Sequence, residues 1–135
     1  ERTVTSAIPH ENYVETDNLS NAINDIAVLV FSGGIPSGYS AVALADNSAA
    51  LIPEDIVTLV GYGRTGVNQP DSGILREVNT LFKSYYPPKK FLVMSLPGKT
   101  ICIGDSGGPD FVHFPAIGTV QVGVNSSTDY CRATH

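Results

Sequence analysis

Basic residues are scarce in this chain. Lys and Arg together number 8 against 13 Asp and Glu, which leaves a net charge of −5. With no basic stripe to offset phosphate repulsion, nucleic acid is excluded as a partner. Charged residues of either sign make up only 16% while apolar residues make up 42%, so an extended disordered chain is excluded too. No apolar run approaches the ~20 residues a membrane helix needs. Glu1-Arg2-Thr3-Val4 opens without the apolar segment of a signal peptide, so a secreted form would be a mature or processed chain. Tryptophan is absent and cysteine occurs twice, at positions 102 and 131. Two cysteines without histidines at ligand spacing do not make a metal site, and no metal or organic cofactor is expected. They are either two buried thiols or one bridge across about 30 residues, which by loop entropy would contribute roughly 3–4 kcal/mol and imply an oxidising compartment.

What is present points to β-structure. There are 13 Gly and 9 Pro, and Val, Ile, Thr, Tyr and Phe cluster in short runs between them. Strands are predicted over residues 3–8, 26–31, 41–44, 56–60, 91–94 and 117–124. Residues 26–31 are six apolar residues in a row and read as a strand buried on both faces. Residues 74–78 also read as a strand, although Leu75, Val78 and Leu81 fit one side of a helix. Residues 32–40 hold three Gly and a Pro and read as a linker. Two Asn-x-Ser sequons, at Asn18 and Asn125, fit a secreted protein.

The richest stretch is Gly104-Asp105-Ser106-Gly107-Gly108-Pro109. Glycine on both sides lets the backbone approach a ligand and leaves the Ser106 hydroxyl uncovered. Such a hydroxyl beside free N–H groups suits acyl transfer, with Ser106 as nucleophile and the N–H groups of Gly104 and Ser106 receiving the oxyanion. The alternative is a plain glycine-rich turn. A nucleophile elbow of the α/β-hydrolase kind is disfavoured, because Pro109 and the strand-like residues after it leave no room for a following helix.

This hexapeptide resembles the nucleophile loop of the trypsin/chymotrypsin-like serine proteases. Residues 23–29 (Ile-Asn-Asp-Ile-Ala-Val-Leu) resemble that family's aspartate segment. Gly61-Tyr62-Gly63 resembles its Gly-aromatic-Gly turn, with Tyr where Trp is usual. The resemblance runs from Ile8 to Cys131. It implies an all-β fold, the double β-barrel, in incomplete form: residues 1–31 as the end of the first barrel, 32–40 as linker and 41–135 as most of the second. It further implies Asp25 as a buried carboxylate that orients a histidine, a Cys102–Cys131 disulfide, and Asp105 as acceptor of the ammonium released when a zymogen is cut. Thr100 would form the base of the specificity pocket and Ile103 would border it. Ser126 or Ser127 would head the strand that pairs with substrate backbone. Thr100 in place of a carboxylate implies an uncharged substrate side chain.

One component is missing. His10 and His113 sit where the family does not place its base, and His135 is terminal. The resemblance therefore implies a secreted serine endopeptidase, acting on peptide or protein substrate, whose catalytic His lies on a second polypeptide segment. The rival expectation is a protease-like binding module without activity.

Overall fold

The computed structural model describes residues 1–15, 22–46, 51–86, 91–128 and 131. Among them every regular element is a β-strand: β1 Val4–Pro9, β2 Ala27–Phe31, β3 Ala43–Leu44, β4 Ile56–Gly61, β5 Arg76–Tyr86, β6 Phe91–Met94, β7 Pro109–Phe114 and β8 Gly118–Val124. The all-β class expected from the glycine-punctuated runs holds. The helical reading of Leu75, Val78 and Leu81 does not. Val78, Thr80 and Phe82 turn inward at a period of two while Glu77 and Asn79 stay exposed, and that alternation makes β5 a long strand.

The strands form two sheets. A six-stranded sheet runs in the order β3-β8-β7-β4-β5-β6, and β1 pairs with β2 alone. In the large sheet β4 is central, antiparallel to β5 on one side and to β7 on the other. Its inward residues Val57 and Leu59 meet Leu51, Phe82 and Val112 in the core, with Val78, Leu92, Met94 and Ile101 packed around them. Val57 is wholly buried, so Val57→Ala is expected to lower stability by about 2 kcal/mol in urea unfolding, the cost of the lost methyls and the cavity they leave.

β7 and β8 form a hairpin whose turn closes on Gly118 at φ 81°, a left-handed conformation that suits glycine. Between Asp110 and Phe111 the pairing slips: Asp110 faces Gly123 but Phe111 faces Gln121. This bulge re-aims the start of β7, directly behind the serine loop.

The β1–β2 ribbon behaves differently. Every residue of β2 is exposed, Val28 at 62% and Leu29 at 57% among them. The expectation of a strand buried on both faces is therefore corrected. A lone two-stranded ribbon has no second layer to cover either face, and none is supplied by the described residues.

Candidate active site

The serine loop is a run of tight turns between Cys102 and β7. Asp105 N–H donates to Cys102 O (3.1 Å) and Gly108 N–H donates to Asp105 O (3.0 Å). Gly104 and Gly107 both take positive φ, 96° and 82°, which the turns require and other residues resist. Ser106 is exposed at the apex. Among the described residues, no side chain hydrogen-bonds the Ser106 hydroxyl, and the N–H groups of Gly104 and Ser106 make no hydrogen bond. Gly108 has no room for a side chain, because a Cβ there would run into the Val60 carbonyl and lie 2.9 Å from Asn125 Nδ2.

Asp105 turns inward, away from Ser106. Its Oδ1 accepts from Gly63 N–H (2.7 Å) and its Oδ2 from Cys102 N–H (2.8 Å). The Gly-Tyr-Gly turn is bare for this reason: a Cβ on Gly61 or Gly63 would collide with the Asp105 carboxylate. The carboxylate lines a cavity of about 290 Å³ together with Gly63, Arg64, Thr65, Arg76 and Lys99. The loop bordering that cavity is clamped by Asp71, which accepts from Thr65 N–H and Oγ1 and from Arg76 Nη2. Those Thr65 bonds, with smaller help from Arg76, hold the Asp71 carboxyl below its ordinary pKa.

The second wall of the site is the end of β8. Asn125 O accepts from Gly107 N–H (2.8 Å) and Asn125 N–H donates to Gly108 O (2.8 Å), so this residue brackets the back of the serine loop. Its side chain is buried at 5% exposure, with Nδ2 donating to Val60 O at 3.1 Å. The folded chain has no room for a glycan on this buried, bonded amide. Peptide mapping of folded protein from a secretory host is therefore expected to find Asn125 unmodified. The sequon at Asn18 lies outside the described residues.

Ser126 follows, and its Oγ donates to Asp25 Oδ2 at 2.8 Å across 101 residues of chain. The carboxylate of Asp25 is thus joined to the serine loop through two consecutive residues, Ser126 and Asn125. Asp25 is held by the turn before β2, where Asn24 adopts φ 55° and anchors through Nδ2 to Asn12 O (2.8 Å). Asp25 is exposed, which corrects the expectation of a buried carboxylate: it stands beside the uncovered ribbon. Nearby, desolvation first, then the charges of Glu15 and Asp25, raise the Tyr13 phenol above its ordinary pKa.

Residues 100–103 are tied to Thr128 and Cys131 by three contacts. Cys102 and Cys131 form a disulfide with 4.4 Å between their Cα atoms, which settles the cysteine question in favour of one bridge. Thr100 Oγ1 lies 2.9 Å from Thr128 Oγ1. Ile103 is exposed beside them, and its N–H donates to Cys131 Sγ. Of the two serines expected to head this strand, the hydrogen bond to Asp25 involves Ser126; Ser127 is exposed.

A family model described as Trypsin matches residues 1–135, the whole chain. The chain belongs to the trypsin family. It is 30% identical to duodenase-1 of Bos taurus over 93% of its own length and 53% of that protein. It is 28% identical to mast cell protease 3 of Ovis aries over 93% of the chain and 53% of that protein. Trypsin eta of Drosophila erecta is 33% identical over 89% of the chain and 50% of its own length. The chain thus spans about half the length of the curated relatives it matches.

For this trypsin-family chain, the described histidines are engaged away from Ser106. His10 Nδ1 accepts from Asn12 N–H (3.0 Å) within its own turn. His113 is exposed on β7 and its Nδ1 lies 3.1 Å from Thr119 Oγ1 on β8. His135 lies outside the described residues. Two residues that shape the site were missed in the sequence, Asn125 and Thr128. The signal for Asn125 was its place at the end of an alternating strand, where an inward polar residue has to find partners.

Proposed function

We propose that this chain is the part of a secreted trypsin-like serine endopeptidase that carries nucleophile and orienting carboxylate, and that it works with a histidine from another segment. The observation that carries this reading is the Ser126–Asp25 hydrogen bond, because it ties the carboxylate to the strand end that brackets the serine loop. A histidine whose Nδ1–H faced Asp25 and whose Nε2 faced Ser106 would take the serine proton as the hydroxyl attacks the peptide carbonyl. The carbonyl oxygen would become an oxyanion received by the N–H groups of Gly104 and Ser106; its collapse would break the peptide C–N bond as the imidazolium gives its proton to the leaving amine, and water, deprotonated by the same histidine, would then release the acyl group from Ser106.

The rest of the site fits this scheme. Thr100, tied to Thr128, would present hydroxyls and not a carboxylate at the base of the specificity pocket, which favours an uncharged substrate side chain, with Ile103 at its border. Ser126 and Ser127 would lie along the substrate backbone. Asp105 would receive the ammonium of a processed zymogen through the cavity it lines; each of its oxygens has a lone pair left after its bond to backbone N–H. The exposed apolar surface of β1 and β2 supports the need for a further segment, since a ribbon bare on both faces is stable only when covered. On this reading residues 1–31 belong to a first lobe, 32–40 join the lobes and 41–135 form the second. The Cys102–Cys131 bridge fits an oxidising, extracellular setting.

Fluorophosphonate labelling tests the proposal. In the assembled protein, Ser106 is expected to be labelled and Ser106→Ala to remain unlabelled. Failure to label with a histidine in place against Asp25 would sink the enzyme and leave a binding module.

A further inference from the structure

The Asn125 side chain has no part in the chemistry just described, yet it sits where β4, the serine loop and the end of β8 meet. It is one of the few polar residues in the interior. Its Nδ2 donates to Val60 O on β4, its backbone O accepts from Gly107 N–H, and its N–H donates to Gly108 O. The same Val60 carbonyl is the atom a side chain at Gly108 would strike, so β4, the serine loop and the end of β8 meet within one contact shell. Val60 O accepts from Nδ2 on its loop side, and a β-branched or aliphatic residue at 125 would offer it no donor. One residue further on, Ser126 reaches Asp25.

We infer that Asn125 is a positioning residue for Ser106: its side-chain amide fixes the end of β8 against β4, and so sets where the Gly107–Gly108 turn and Ser126 stand relative to each other. The inference rests on the proposed reaction only for its kinetic readout. Losing Nδ2 frees the strand end to shift against β4. A shift near ~1 Å between serine and carboxylate is enough to slow a proton-coupled attack by roughly a hundredfold.

The test uses Asn125→Val, which removes the donor, and Asn125→Asp, which keeps the shape but turns an oxygen toward the Val60 carbonyl. Thr58→Val is the control, since it removes another β4 hydrogen bond, to Asn79 Oδ1, away from the loop. In the assembled protein, well below its melting temperature, both Asn125 variants are expected to be labelled by fluorophosphonate about ten- to a hundredfold more slowly. With a peptide substrate, kcat should fall while KM moves less than about twofold, the pattern of lost transition-state alignment. Thr58→Val should lower the melting temperature without changing the labelling rate. Amide hydrogen exchange at Gly107 is the second readout and needs no activity: it should speed up about tenfold or more in the Asn125 variants and stay unchanged in Thr58→Val. If the unmodified protein is never labelled, the proteolytic reading fails, and Gly107 exchange alone decides for or against Asn125. Labelling or, in that case, exchange equal to the unmodified protein would overturn the inference.

Discussion

Replacing Asp105 with alanine is expected to lower the unfolding free energy by about 3–5 kcal/mol, a large part of what a domain of this size has. The carboxylate accepts two backbone N–H groups, from Gly63 and from Cys102, at 2.7 and 2.8 Å. Bonds to a charged acceptor contribute roughly 1.5–3 kcal/mol each, and the partly buried donors have no replacement once it is gone. Asp105→Asn should fall between, at about half the loss, because its amide oxygen can serve one donor while its NH₂ faces the other. Urea unfolding of the three proteins measures the series. A sharper check lies in the glycines. Gly61→Ala is intolerable while the carboxylate occupies the space a methyl would take, but its cost should shrink in the Asp105→Ala background. Additive costs, within about 0.5 kcal/mol, would show that the two positions do not share that space. On the proposed reaction, Asp105→Ala should also slow Ser106 labelling, since the same residue anchors the turn that presents Gly104 and Ser106.

That coupling explains why so much of this region was legible in the sequence. Gly61 and Gly63 are bare because Asp105 lies against them, and Gly108 is bare because Val60 does. Glycines forced by close approach leave a mark in the sequence that no packing rule would put there. Some strands of the large sheet were legible from their punctuation, with Gly61 closing the apolar run of β4 and Asn125 following β8. Three features were hidden. The choice between Ser126 and Ser127 turns on which side of the strand end faces Asp25, and two adjacent serines carry no pattern that decides it. The exposure of Asp25 and of β2 was misread because a run such as Ala27–Phe31 records what the strand is built to be covered by, and nothing among the described residues covers it. Asn125 and Asp110 were passed over because polar residues in short strands are ordinarily taken to face water; a bulge at Asp110 and a strand end at Asn125 turn them inward.

Asp110 yields the clearest pH dependence. It follows Pro109 at the start of β7, only 6% exposed, with Oδ1 buried and unpartnered among the described residues. It faces Gly123 across the hairpin, where a Cβ would come within 2.5 Å of Oδ2, and Leu92 packs on the same glycine. Desolvation in these apolar surroundings pushes its pKa up to about 7. The native state therefore holds a proton on Asp110 more tightly than the unfolded chain, whose aspartates titrate near ~4. Between pH ~4 and about 7 the native state carries the extra proton, so stability falls as pH rises through that window and levels off above it. The difference between ~4 and about 7 corresponds to roughly 4 kcal/mol between the two plateaus. Asp110→Asn keeps the shape and removes the charge. The variant should match the unmodified protein near pH ~4 and exceed it by up to about 4 kcal/mol at pH ~8, with a flatter profile of urea midpoints between. Other carboxylates such as Asp71, held below its ordinary pKa, lose stability in the opposite direction as pH falls, so the difference between the two proteins, and not either curve alone, isolates Asp110. Parallel profiles for the unmodified protein and the Asp110→Asn variant across that range would mean that the carboxyl finds a donor or water that keeps it ionised.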